Sequence, residues 1–181
     1  MVFAPDAEVA LRTVVNLVNT AANGREGLAS VDDLDAFLAA EGFSGGRTHD
    51  AAELESVRQL RTVLAALWTA EEDAAVGTVN RILREARALP QLMKHDGWDW
   101  HLHATTPEAP LAYRMGTEAA MALADVIRSK EMDRLRTCDS EDCDAAVLDL
   151  SRNRSKRYCD TGNCANRAHV AAYRARQAAA G

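Results

Sequence analysis

Cys138-Asp-Ser-Glu-Asp-Cys143 and Cys159-Asp-Thr-Gly-Asn-Cys164 hold all four cysteines of this 181-residue chain, and none occurs in the first 137 positions. Two close thiol pairs, separated by fifteen residues, let four sulfurs converge on one tetrahedral ion at the ~2.3 Å distances zinc prefers. Disulfides are the rival reading, and they require an oxidising compartment. A closed set of four thiolates leaves no open coordination position, so the reading is one structural zinc. Each pair suits a turn, and residues 145–157 are expected to fold out and back as a small hairpin. So short a segment cannot bury a core of its own, which leaves the metal to stabilise it.

Upstream, the pattern is helical. Pro5-Asp6 offers a cap for Leu11, Val14, Val18 and Ala22, and Asn23-Gly24 stops that run. Ser30-Val31-Asp32-Asp33 resembles a capping box opening a helix with Leu34, Phe37 and Leu38. Thr48 or Asp50 caps a longer helix stepping through Val57, Leu60, Leu64 and Leu67. Val76, Val79, Leu83 and Ala86 repeat the stepping until Leu89-Pro90 breaks it. Trp98 to His103 alternates with period two, and Pro107 to Pro110 is expected to supply the return strand of a hairpin. A last helix spans roughly Leu111–Lys130, with Met115, Ala119, Leu123 and Val126 on one side. The fold expected is therefore mainly α. A helical N-terminal domain, residues 1–130, carries one small β-hairpin, and a zinc knuckle of hairpin and helix occupies residues 134–177.

The residues around the cysteines extend the reading. Asp149-Leu150-Ser151-Arg152-Asn153-Arg154 lies between the pairs, and Cys164-Ala165-Asn166-Arg167 follows the last one. This resembles the CGNR zinc-finger family of bacterial transcription regulators, in which paired cysteines frame an Asp-x-Ser segment and the last cysteine opens Cys-Gly-Asn-Arg. Leu17-Val18-Asn19-Thr20 is similar to a motif of the ABATE domain that precedes this finger. The resemblance implies a regulator whose finger binds DNA and whose helical domain senses a signal. Ala165 stands where the family has glycine, which is harmless if that position lies in the first turn of a helix capped by Asp160 or Thr161.

Charge supports a nucleic-acid partner. The chain is net −6, yet residues 151–177 hold seven Lys/Arg against Asp160, net +6, which leaves 14 bases against 26 acids, net −12, elsewhere. The expected DNA contacts are Arg152, Arg154, Lys156, Arg157, Asn166, Arg167, Arg174 and Arg176. Against this stands neutralisation of the doubly negative zinc–thiolate centre, with Arg167 a suspect. Asn19 and Thr20 are expected to form a polar small-molecule site with Arg58 and Arg61, or Asn19 is a buried structural bridge. His101 and His103 share one face of the expected strand, where a packed or solvated face is the bland reading and a second metal site the sharp one. Trp68, Trp98 and Trp100 line a pocket or fill the core.

No hydrolase, zinc-protease, phosphate-loop or dinucleotide fingerprint occurs, so the reading is non-enzymatic. No apolar run reaches membrane-spanning length and no signal pattern opens the chain, so no membrane partner is expected and the location expected is cytoplasmic. A homodimer is the usual arrangement for small DNA-binding modules. The competing class is a protein-interaction adaptor whose knuckle docks a protein partner, or an RNA-binding protein.

Overall fold

A computed structural model describes residues 3–94, 97 and 99–179. The first helix, α1, spans Pro5–Asn19 with proline at its first position, where the missing N–H removes a donor that would have had no partner. Ala4, not Asp6, occupies the cap position. The helix ends at Asn19, short of the expected Ala22. The Thr20 hydroxyl donates to the Leu17 carbonyl, and Asn23 turns into the left-handed region at φ 58°.

Helix α2, Val31–Ala40, opens with the expected capping box. Ser30 Oγ accepts from the Asp33 N–H, while the Asp33 carboxylate accepts from the Ser30 N–H. Asp50 caps α3, Ala51–Ala65, through the Glu53 N–H at 2.8 Å. Helix α4, Glu72–Glu85, buries Ala75, Val79 and Ile82. That stripe lies to one side of the Val76–Leu83 stripe expected from larger side chains, because α4 rests on small residues of the last domain helix. This is α5, Leu111–Arg128, whose Ala119, Ala120 and Ala122 are buried with Met115, Leu123 and Val126. Gly116 lets it approach closely: a Cβ there would lie 3.2 Å from Leu60 and 3.3 Å from Ile82. The core is thus α5 packed against α1, α3 and α4.

Strands β1, Gln91–Met93, and β2, His101–His103, form an antiparallel hairpin with Leu92 opposite Leu102. The partner of β2 therefore lies upstream, not at Pro107–Pro110. Prolines cannot donate to a ladder, and Pro110 instead stands at the start of α5. Trp98 lies outside the described residues. Trp68 is core, whereas Trp100 is 66% exposed, so these two do not meet in a pocket.

The second hairpin pairs β3, Leu135–Thr137, with β4, Ala146–Leu148, in the register Leu135↔Leu148. The expectation that residues 145–157 fold back on themselves is corrected here. The strand before the first cysteine pairs with the strand after the second, and Asp149 turns the chain away. The buried Asp149 carboxylate accepts from the Ser151 N–H and hydroxyl and from the Lys156 N–H, closing residues 149–156 into a loop. Helix α6, Cys164–Ala179, completes the described chain.

Candidate metal centre

Local geometry brings the four thiols together. The turn between β3 and β4 carries Cys138 and Cys143, with the Cys138 N–H bonded to the Ala145 carbonyl. Cys159 follows the Asp149 loop, and Cys164 is the first residue of α6. The four Sγ atoms lie within 4.8 Å of one another, and Cys159 Sγ is 3.8 Å from both Cys143 and Cys164. A tetrahedron with zinc–sulfur bonds of ~2.3 Å has edges of about 3.8 Å, so the donor set fits zinc. A disulfide would hold two sulfurs at ~2.0 Å, and all four cysteines are free thiols.

The surroundings treat the thiols unequally. Burial pushes the Cys138 thiol up to about 12 and raises Cys143. At Cys159 burial is outweighed by hydrogen bonds from the Thr161 hydroxyl and the Gly162 N–H, which bring the thiol down to about 7. Arg167 donates to Cys164 Sγ at 3.2 Å and pairs with Asp142 at 2.9 Å. This sets a positive charge against the thiol cluster, where it would offset the negative charge of a zinc–thiolate centre. Gly162 is a residue that spacing alone does not single out. A Cβ there would stand 3.2 Å from Cys164 Sγ and 3.7 Å from Cys159 Sγ. The chain needs glycine between the cysteines, not after them: Ala165 lies in the first turn of α6, away from positive φ. The first bond of that helix runs from the Arg167 N–H to the Asn163 carbonyl, so Asn163 holds the cap position expected of Asp160 or Thr161.

The centre is built into the helical domain. Strand β4 is buried on both faces. Ala146 and Leu148 join the helical core, while Val147 packs with Ala22 and the cysteines. Asn19 grips this strand with both ends of its amide: Nδ2 donates to the Ala146 carbonyl at 2.9 Å, and Oδ1 accepts its N–H at 2.7 Å. Trp68 Nε1 donates to the Val147 carbonyl at 3.2 Å. Asn23 and Asp144 exchange two further hydrogen bonds. The buried Arg134 guanidinium holds the Asp149 and Ser151 carbonyls at 2.8 and 3.0 Å.

These contacts revise the expected small-molecule site. Thr20 and Arg61 do meet, at 2.9 Å, but Arg61 is clamped on Glu26 at 2.6 and 2.7 Å. Arg58 donates to the Leu28 and Ala29 carbonyls, and Asn19 turns to β4. The four residues do not converge on a shared cavity, because each polar group has a protein partner.

The expected DNA contacts divide. Arg154 pairs with Glu131 and Asp133, Lys156 with Asp160, and Arg157 with Asp139. Arg152, Arg174 and Arg176 have no ion-pair partner among the described residues. Asn166, Arg174 and Arg176 lie on α6, where Cys164 alone is buried.

Residues 11–130 match the family model of ABATE, described as "Putative stress-induced transcription regulator", and residues 134–177 match the model of the CGNR zinc finger. No curated protein matches the chain. The matched finger and the converging thiols assign one structural zinc to Cys138, Cys143, Cys159 and Cys164.

Proposed function

The chain belongs to the ABATE family and carries a CGNR zinc finger at residues 134–177, and from that premise we propose that it is a non-catalytic transcription regulator that contacts DNA through α6. One observation carries the reading. This 16-residue helix stands on the zinc knuckle with a single buried residue, and its Arg174 and Arg176 have no carboxylate partner among the described residues. An α-helix free on nearly all sides fits the major groove. Arg152, exposed on the Asp149 loop, supplies a further phosphate contact. The loop cations Arg154, Lys156 and Arg157 exchange their carboxylates for phosphates only at the cost of existing ion pairs, so they contribute less. Arg167 serves the zinc. Sensing through Asn19, Thr20, Arg58 and Arg61 is not part of this reading, since those groups hold the protein itself together.

The test uses the zinc-loaded full chain and a duplex DNA pool. Arg174→Ala and Arg176→Ala should each weaken binding to every sequence and lower the log–log salt slope by about one. Asn166→Ala should change preference at one base position by roughly 1–3 kcal/mol. Arg167→Ala should lose zinc. Absence of duplex binding at low salt refutes the proposal, and the adaptor reading then rests on Val170 and Tyr173, which are 40% and 56% exposed on α6.

A further inference from the structure

Helix α6 has a face that phosphate contacts leave unused. At ~100° per residue, Asn166, Val170 and Tyr173 fall within a stripe roughly 60° wide, opposite Cys164, Ala168, Ala171 and Ala175. Val170 and Tyr173 are the largest apolar side chains of the helix. They are 40% and 56% exposed and belong to neither hydrophobic core. Arg174 and Arg176 flank the stripe on opposite sides, each roughly 80° from its centre. Neither arginine has a carboxylate partner among the described residues, and the helix itself carries no acidic side chain.

A cation, an apolar stripe and a second cation across one helix complement a duplex groove. The major groove is ~12 Å wide and a helix with its side chains is ~10–12 Å across, so a helix lying in it has base edges below and phosphates on both walls. With Arg174 and Arg176 turned to the two walls, Asn166, Val170 and Tyr173 face the floor. The apolar group that base edges present there is the thymine C5-methyl. An apolar groove on a protein would instead have to strip water from both arginines without replacing it. Along the axis, Val170 lies ~6 Å beyond Asn166 and Tyr173 ~4.5 Å further. A base pair rises by ~3.4 Å, so each of the three side chains can meet a different pair.

We infer that Val170 and Tyr173 are specificity-determining residues of the DNA site, each packing on a thymine methyl beside the pair that Asn166 reads. The assignment rests on α6 being the DNA-contacting helix, and it adds which bases that helix prefers.

The probe is the duplex that the zinc-loaded full chain selects from a random pool, with each thymine replaced in turn by uracil, which pairs identically and lacks only the methyl. One or two replacements should each weaken wild-type binding about fourfold, the effect of exposing one methyl-sized group. Val170→Ala and Tyr173→Ala should each bring the thymine-to-uracil affinity ratio to about one at one of those positions. Zinc content and the log–log salt slope should stay unchanged, because no charge is removed. Alanine suits an exposed helical position, so both variants keep α6. Wild-type ratios near one at every position, or ratios that survive in the Val170→Ala/Tyr173→Ala double variant, overturn the assignment while leaving duplex binding through α6 in place. Absence of duplex binding at low salt fails the DNA reading itself, and this assignment with it.

Discussion

Asn19→Leu removes the amide that joins α1 to β4 while keeping the number and branching of side-chain heavy atoms. The two hydrogen bonds lost, at 2.9 and 2.7 Å, both end on Ala146, which is 4% exposed, as is Asn19. The substitution therefore leaves a buried N–H and a buried C=O without water or partner. Each such group costs about 1–3 kcal/mol, so the sum is about 2–5 kcal/mol once partial relaxation is allowed. For a chain of this size 1 kcal/mol corresponds to roughly 2–4 °C in Tm, which places the expected loss at roughly 4–20 °C. The assay is thermal unfolding by circular dichroism on zinc-loaded protein, with zinc release to a chelator timed in parallel. Release should accelerate, because β4 directly follows the turn that holds Cys143. A Tm within about 1 °C of the wild type would refute the bridge, because a buried strand cannot lose both partners at no cost.

Three further outcomes follow from the same geometry. Removing zinc should lower the melting temperature of the whole chain in one transition, since Ala146 and Leu148 belong to the helical core; two separate transitions by calorimetry would show an uncoupled finger. Gly162→Ala should weaken zinc binding in a competition titration, because the added Cβ would meet Cys164 Sγ at 3.2 Å, whereas Ala165→Gly should leave affinity unchanged and cost about 1 kcal/mol or less of helix stability. Arg61, hydrogen-bonded to Glu26, holds that carboxyl down at about 2 against 4.5, so its stabilisation is fully present above about pH 4.5 and is lost as pH falls towards 2. The Glu26 side chain is 41% exposed, so solvent screening limits the effect to about 1 kcal/mol or less; acid titration of the difference in stability between wild type and Glu26→Gln should shrink across that window and be flat above it.

Much of this protein is written in local pattern. Ser30 and Asp33 cap α2, Asp50 caps α3, and Met115, Ala119, Leu123 and Val126 face the core, because capping and 3.6-residue periodicity involve neighbours in the chain. The four cysteines were legible as one zinc site for a similar reason: close thiol pairs have few other uses in a chain of this composition. Pairing was less legible. Local alternation marks β2 but does not say which segment lies beside it, and both hairpins took partners other than those expected. Gly162 carried a faint signal as a glycine between two cysteines, and Asp149 as the acid of the Asp-x-Ser segment.

The sequence by itself determined the helices, the caps of α2 and α3, the zinc ligands and the concentration of basic residues after position 150. Tertiary structure alone decided which polar groups remain available for function. Asn19, Arg58 and Arg61 look like ligand-binding residues along the chain, yet folding sets Asn19 against Ala146, 127 positions away, and Arg61 against Glu26, 35 positions away. Arg154 and Arg157 read as free cations until Glu131, Asp133 and Asp139 fold beside them, whereas Lys156 pairs with Asp160 only four positions on. A side chain's charge and hydrogen-bonding capacity belong to the residue, but whether they are already satisfied depends on contacts that form only when distant segments meet.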